Sequence, residues 1–327
     1  MTPFRIAIIG TGWIAEKMAI TVAGMQDVEI YAVVSRTMER AQSFAGQWNI
    51  KQSFDSIGKM LDDENVDLVY IATPHSNHYE EARICLLKEK PVLCEKAFTA
   101  TAWQTEELLQ IAKERNVFIT EAIWTRYMPL SKTINEIIES GVIGKPVYLS
   151  ANLGYPNYRM ERMTNPDLAG GALLDLGVYP INFASMILGA DIEHITSTCT
   201  LMNTGVDGQN SITITYAGGG MAVLSSTLYA KTDRQGLVAG ENGYIIVENI
   251  NNPQKVMVVG SDYQILSQYD CPPQITGYEY QVYASIEAIR NGWIESPFMP
   301  HTETLRIMKL MDGLRKSWGV KYPSDRD

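Results

Sequence analysis

Cysteine is scarce in this 327-residue chain: four residues, Cys85, Cys94, Cys199 and Cys271, lie far apart, with no CxxC pair and no zinc-ligand spacing. That spacing argues against a disulfide framework or a structural metal, and predicts reduced, mostly core thiols in a cytoplasmic protein. Basic charge is also short. With 27 Lys and Arg against 37 Asp and Glu, the formal net charge is -10, and no basic cluster stands out locally, so nucleic acid is not an expected partner. A long apolar run at the start is missing too. The opening segment MTPFRIAIIGTGW holds one short apolar run that stops at glycine. It is too short to span a bilayer and shows no small-residue cleavage site, so a first strand is expected there and no membrane partner. Internal repeats, low-complexity tracts and long linkers do not occur.

What is present is ordinary globular composition, 46% hydrophobic and 20% charged, which argues against disorder in a chain long enough for two cores. Apolar runs at Phe4 to Ile9, Val28 to Val34, Leu68 to Ala72, Pro91 to Cys94 and Val117 to Thr120 alternate with helical stretches. Strands separated by helices predict a parallel sheet covered on both faces, an α/β doubly wound domain over residues 1–122. After about Ile123 the rhythm changes. Alternating segments at Val147 to Leu153, Ile195 to Met202, Ser211 to Tyr216, Met221 to Ser226, Gly243 to Val247 and Lys255 to Val259 surround one helix, roughly Ala172 to Leu188. Strands without intervening helices predict a largely antiparallel sheet, hence an α+β domain over 123–327. The tail helices, Glu279 to Asn291 and Thr302 to Trp318, are expected to pack on one of the domains, with packing of the C-terminal helix back on the first as one arrangement.

The first strand runs into Gly10-Thr11-Gly12-Trp13-Ile14-Ala15, a GxGxxA turn that opens a helix. In that context Gly10 permits the tight turn, Gly12 lets the backbone approach a pyrophosphate, Ala15 allows close helix-to-sheet packing, and the free helix-start amides face phosphate. Dinucleotide binding is therefore expected. At the end of the second strand, where NAD-selective domains offer a carboxylate to the ribose, this chain has Ser35-Arg36, with Arg40 one helical turn on. Those groups suit a 2'-phosphate, so NADP is expected, with NAD possible if Arg36 is only a solvated charge. Lys96 follows the strand ending at Cys94 and should emerge at the carboxyl edge of the sheet, where ligands of such folds bind; alone, it would read as a surface lysine. Asp175 and Tyr179, four residues apart after Gly170-Gly171, share one helix face. That face suits a site wall or a buried structural pair equally well.

The segments AIIGTGWIA, SRTMER, IATPHSNHYEEA, VLCEKAFT, EAIWTRYMP and GGALLDLGVYPI stand in the order and at about the spacings of the Gfo/Idh/MocA family of NAD(P)-dependent oxidoreductases, which the sequence resembles. The similarity is greatest to the branch of dimeric dihydrodiol dehydrogenases and NADP-dependent D-xylose dehydrogenases. The resemblance implies a Rossmann domain followed by an α+β domain whose open sheet forms the interface of a homodimer or higher homo-oligomer. It implies Lys96 near the nicotinamide and substrate oxygen, Tyr179 as general acid/base with its pKa lowered by Lys96, and Asp175 orienting substrate or Lys96. Ala72, Thr73, Pro74, Asn77 and His78 match the loop beside the nicotinamide ribose, while Glu95, Trp124, Thr125 and Arg126 line the same region. A substrate groove is expected between the domains near Tyr155, Asn157, Arg159 and Asp175.

The family motif usually ends in proline after the lysine. This chain has Ala97, which puts the aim of Lys96 in question. His75 and His78 could suggest a metal pair, but no third ligand of suitable type lies nearby in sequence, and the cofactor loop is the better reading. The implied activity is hydride transfer between nicotinamide and a sugar, polyol or cyclic diol. Two alternatives stand beside it: a non-catalytic NADP-binding sensor or partner protein, and an NAD-linked inositol-type dehydrogenase. The second would be expected to carry an acid near Ser35 and a histidine in place of Tyr179.

Overall fold

A computed structural model describes residues 3–326. The chain divides into two compact units. The first comprises the described residues up to Trp124 together with Gln274–Lys309, and the second comprises Thr125–Pro273 with the residues from Leu310 onward. The Gln274–Lys309 segment thus belongs with the N-terminal residues, and the helix His301–Trp318 divides between the two units after Lys309.

In the first unit the strands are β1 (Phe4–Ile9), β2 (Val28–Val34), β3 (Gln52–Phe54), β4 (Leu68–Ile71), β5 (Val92–Glu95) and β6 (Ile119–Ala122). They form one parallel sheet in the order β3-β2-β1-β4-β5-β6. The order reverses at β1, so the crevice at the carboxyl ends of β1 and β4 is the switch point where such folds bind ligands. The helices are α1 (Trp13–Ala23), α2 (Met38–Trp48), α3 (Ile57–Leu61), α4 (His75–Leu87) and α5 (Ala102–Arg115). β4, β5 and β6 are buried at every position, which explains why β4 reads as a continuous apolar run without alternation, while Glu95, Thr120 and Glu121 are buried polar groups of β5 and β6. Cys85 and Cys94 lie in this core; Cys199 and Cys271 are partly exposed, and none of the four is in a disulfide.

In the second unit, α6 (Pro129–Glu139) starts on a proline at its first turn and precedes β7 (Tyr148–Gly154). A short helix, α7 (Glu161–Thr164), then leads to a π-helical turn at Leu173–Gly177 that continues into α8 (Val178–Leu188). The rest of the sheet is β8 (Ile192–Leu201), β9 (Asp207–Tyr216), β10 (Met221–Thr227), β11 (Gly236–Gly240), β12 (Gly243–Val247), β13 (Lys255–Gly260) and β14 (Ile265–Asp270). Its order is β14-β13-β12-β11-β7-β10-β9-β8, antiparallel except for the parallel pair β7 and β10. β9 and β10 alternate buried with exposed positions, as expected of a sheet with one covered face. The π turn and α8 pack on β7 and β10. The stretch Pro166–Leu188 is long and apolar enough to cross a membrane, yet most of it is buried within the protein as a core helix. The last helices are α9 (Glu279–Arg290) and α10 (His301–Trp318).

Candidate functional site

The glycine turn is fixed by three strand ends. The Gly10 amide donates to Val34 O (2.9 Å) and the Ala72 amide to Ile9 O (2.9 Å), which ties β1 to β2 and to the residue after β4. Gly10 has φ +108°, and a Cβ there would lie 2.7 Å from Ala72 O, so both the backbone shape and the close approach require glycine. Gly12 behaves differently. It caps α1 with no side-chain hydrogen bond to the helix amides, and a Cβ on it would meet nothing within 4 Å. The helix start is therefore an open backbone cradle, and Ala15 is fully buried behind it. Trp13 is 63% exposed at the mouth, with the Lys17 ammonium 5.7 Å from its ring centre.

Ser35 follows β2 directly, and its hydroxyl lies 3.4 Å from that of Thr11. Thr37 caps α2 by accepting from the Arg40 amide, which fixes the turn on which Arg36 and Arg40 stand exposed. A helix start at Gly12 and Trp13 with no side-chain cap, a hydroxyl pair and two exposed guanidinium groups fit a dinucleotide carrying an extra phosphate.

At the ends of β4 and β5, buried polar groups hold the loops. Thr73 Oγ1 donates to Glu81 Oε2 (2.6 Å), and burial pushes the Glu81 carboxyl up to about 7. His78 is fully buried, with Nε2 2.9 Å from Thr73 O and Nδ1 3.0 Å from Ala97 O, so its ring joins the two loops. Burial holds its pKa below the usual imidazole range. Pro74 precedes α4, on whose first turn His75 is buried and Asn77 exposed. The Lys96–Ala97 peptide bond is cis. Ala97 is itself fully buried, and the next amide, Phe98 N, donates to Glu121 Oε1 (3.2 Å). Glu95 is buried and accepts a hydrogen bond from the Tyr70 hydroxyl. Trp124 stacks on Tyr278 with ring centres 4.1 Å apart. Among the described residues no three His, Cys, Asp or Glu are grouped as a metal would need.

The second unit holds the other candidates. Gly171 has φ +125°, and a Cβ on it would collide with Asp207 Oδ1. Asp175 lies in the π turn and Tyr179 in the first turn of α8; both are buried. The expectation of a regular helix through both residues needs correction, because the wider π turn replaces the first 3.6-residue turn. Such turns are frequent at functional sites. Asp175 pairs with Arg162 across 3.1 Å. Arg126 donates from Nε to Asn182 Oδ1 (2.6 Å) and from Nη2 to Ser185 Oγ (3.2 Å), which fastens the Trp124–Tyr127 turn to α8 through Arg126. Tyr155 follows β7, and its hydroxyl accepts from Arg234 and Asn251. Asn157 is partly buried, and Arg159 is exposed with its guanidinium 5.3 Å from the Tyr158 ring centre.

Glu81, Arg162 and Asp207 were not identified from the sequence. No periodicity links Thr73 to Glu81, Arg162 to Asp175, or Gly171 to Asp207; chain reversals bring each pair together.

Comparison with known proteins supplies the family. Residues 4–122 match the model described as "Oxidoreductase family, NAD-binding Rossmann fold", and residues 131–246 match the "GFO/IDH/MocA C-terminal domain". The chain is 30% identical to mouse trans-1,2-dihydrobenzene-1,2-diol dehydrogenase, an alignment covering 98% of this chain and 99% of that protein. It is 33% identical to D-xylose 1-dehydrogenase (NADP(+)) of Hypocrea jecorina, over 97% and 92% of the two chains. The crystal structure of a 3-ketoreductase from Actinomadura kijaniata in complex with NADP and TDP-benzene superposes with a TM-score of 0.87 at 25% identity, covering 96% of this chain and 97% of that one. With a parallel nucleotide-binding sheet in one unit and a mixed open sheet in the other, the chain belongs to the Gfo/Idh/MocA oxidoreductase family.

Proposed function

We propose that this protein is an NADP-dependent dehydrogenase or reductase that acts on a hydroxyl-bearing carbon of a sugar, polyol or cyclic diol. The observation that carries the reading is the open amide cradle at Gly12 and Trp13, followed at the end of β2 by Ser35 and Arg36 with no carboxylate. An acid there would repel a 2'-phosphate. The relatives named above support the substrate class and the cofactor.

In this reading Gly10, Thr11, Gly12, Trp13 and Ile14 hold the pyrophosphate, and Ser35, Arg36 and Arg40 hold the 2'-phosphate. Ala72, Thr73, Pro74, Asn77, Glu95, Trp124 and Arg126 shape the nicotinamide end, with His78 acting behind them as a brace for the Thr73 and Ala97 carbonyls. The bound nicotinamide supplies the hydride acceptor or donor. The Tyr179 hydroxyl exchanges the proton of the substrate hydroxyl, and the Lys96 ammonium stabilises the negative charge that develops on oxygen. Asp175, held by Arg162, orients the substrate. Tyr155, Asn157 and Arg159 recognise its remaining polar groups.

In this reading residues 1–122 bind the cofactor, with Gln274–Lys309 as part of the same unit, and the rest of 123–327 binds substrate and dimerises through the open sheet, where Leu201, Met221, Ile265 and Leu266 are exposed. The four cysteines, none of them in a disulfide, suit a cytoplasmic setting. The function is tested by offering NADP+ or NAD+ with D-xylose, D-glucose, scyllo-inositol and trans-1,2-dihydrobenzene-1,2-diol. Turnover of at least one of them with preference for NADP+ is expected. Thermal stabilisation by NADP+ without any turnover would favour the sensor reading.

A further inference from the structure

We propose that Asp207 is a positioning residue for the helix that carries Asp175 and Tyr179, acting through the Gly170–Gly171 turn at the start of that helix. The proposal rests on the reading of Tyr179 as the acid/base, and it assigns a role to a residue outside the motifs of the site.

Asp207 opens β9 and is fully buried. Its Oδ2 accepts from the Leu173 amide (2.8 Å), the first residue of the π turn, and from Asn210 Nδ2 (2.8 Å). Asn210 in turn accepts from Ser226 Oγ (3.1 Å), whose hydroxyl also reaches Ala172 O (3.4 Å). The Asp207 carboxyl group thus satisfies an amide at the helix start that has no partner within the helix. Its Oδ1 faces Gly171 closely enough to exclude any side chain there, and has no hydrogen-bond partner among the described residues. The turn is pinned from the opposite direction as well. The Tyr322 hydroxyl donates to Gly170 O (2.6 Å). Tyr322 is held by the Arg315 guanidinium, 4.2 Å from its ring centre, and Arg315 is itself fixed by Asp312 and Asp325. The Gly170 and Gly171 amides donate to Asn165 O and Met163 O. A π turn has no regular α-helical ladder to set its register, so these outside bonds define where Asp175 and Tyr179 point.

The test uses Asp207→Ala, Asp207→Asn, Tyr322→Phe, and Asp207→Ala combined with Tyr179→Phe. Amide hydrogen exchange of the cofactor-free protein is read over residues 171–179 and over β10. Asp207→Ala is expected to raise exchange over 171–179 about tenfold while β10 stays protected, and Asp207→Asn, which keeps an acceptor oxygen, is expected to stay within about threefold of the parent. With NADP+ and whichever sugar or diol the parent oxidises, kcat should fall about tenfold in Asp207→Ala with KM nearly unchanged, recover in Asp207→Asn, and show no further loss in the Tyr179→Phe background. Unchanged exchange in Asp207→Ala overturns the proposal, as does an equal kcat loss in the Ala and Asn variants. If Asp207→Ala does not fold, Tyr322→Phe decides: several-fold faster exchange over 171–179 supports the proposal, and parental exchange overturns it. Parental activity in Tyr179→Phe removes the acid/base reading, while the exchange result still judges the turn.

Discussion

The two glycines of the first turn should separate folding from binding. In Gly10→Ala the new Cβ meets Ala72 O at 2.7 Å and Thr73 Cγ2 at 3.3 Å, on a residue held at φ +108°. A non-glycine residue in such backbone costs about 1–3 kcal/mol, and overpacking against a fixed carbonyl adds about 1–3 kcal/mol more. The sum, about 2–6 kcal/mol, corresponds to a Tm fall of about 5–15 °C. In Gly12→Ala the Cβ meets nothing within 4 Å, and φ is an ordinary -89°. Replacing glycine by alanine at a helix cap costs at most about 1 kcal/mol. The Gly12 methyl would instead occupy the cradle, and losing one or two charge-assisted amide bonds to pyrophosphate weakens NADP+ binding about 10–100-fold. Thermal melting without cofactor and titration calorimetry with NADP+ read the two effects separately. A Gly12→Ala protein that binds NADP+ like the parent, or melts as low as Gly10→Ala, would refute the placement of the cofactor on this turn.

Arg36→Asp should weaken NADP+ about tenfold or more, leaving NAD+ little changed, because the exposed guanidinium contributes one charge-assisted contact and the new acid repels phosphate; parallel titrations with both cofactors measure it. Asp207, whose carboxyl burial raises to about 7 from its ordinary 3.8, favours the protonated folded state. Its contribution to stability is present in full below about pH 4 and is lost as the pH rises through about 7, roughly 4 kcal/mol in all. Urea unfolding of the parent and Asp207→Asn at about pH 5 and about pH 8 should therefore show the variant gaining relative to the parent at the higher pH, and a difference that stays constant would count against it. Light scattering in solution should give twice the monomer mass, and Leu201→Glu combined with Ile265→Lys should reduce it; a monomeric parent would remove the proposed pairing.

The sequence made much of the first unit legible. β1 and β2 begin and end where their apolar runs do, because β1 and the second half of β2 are buried and both strands are bounded by glycine or polar turns. β3 was invisible, since Gln52-Ser53-Phe54 is too short and polar to show a pattern. In the second unit β11 is bracketed by Gly236 and Gly240, which read as turn, and β14 is a largely exposed edge strand. The candidate residues Lys96, Asp175 and Tyr179 stood out by motif. Their supports did not. The π turn under Asp175 arises from contacts with Asp207 and Asn165, and the bracing of Thr73 by Glu81 and His78 depends on how α4 folds back on β4, which no local pattern encodes.

The most direct test of the account is the rate of NADPH formation by the parent, Tyr179→Phe and Lys96→Ala with a sugar or diol that the parent oxidises. The account predicts that both variants bind NADP+ and melt near the parent temperature while kcat falls at least about 100-fold in each, the scale of a lost general acid/base or charge-stabilising group. Parental kcat in either variant would contradict it.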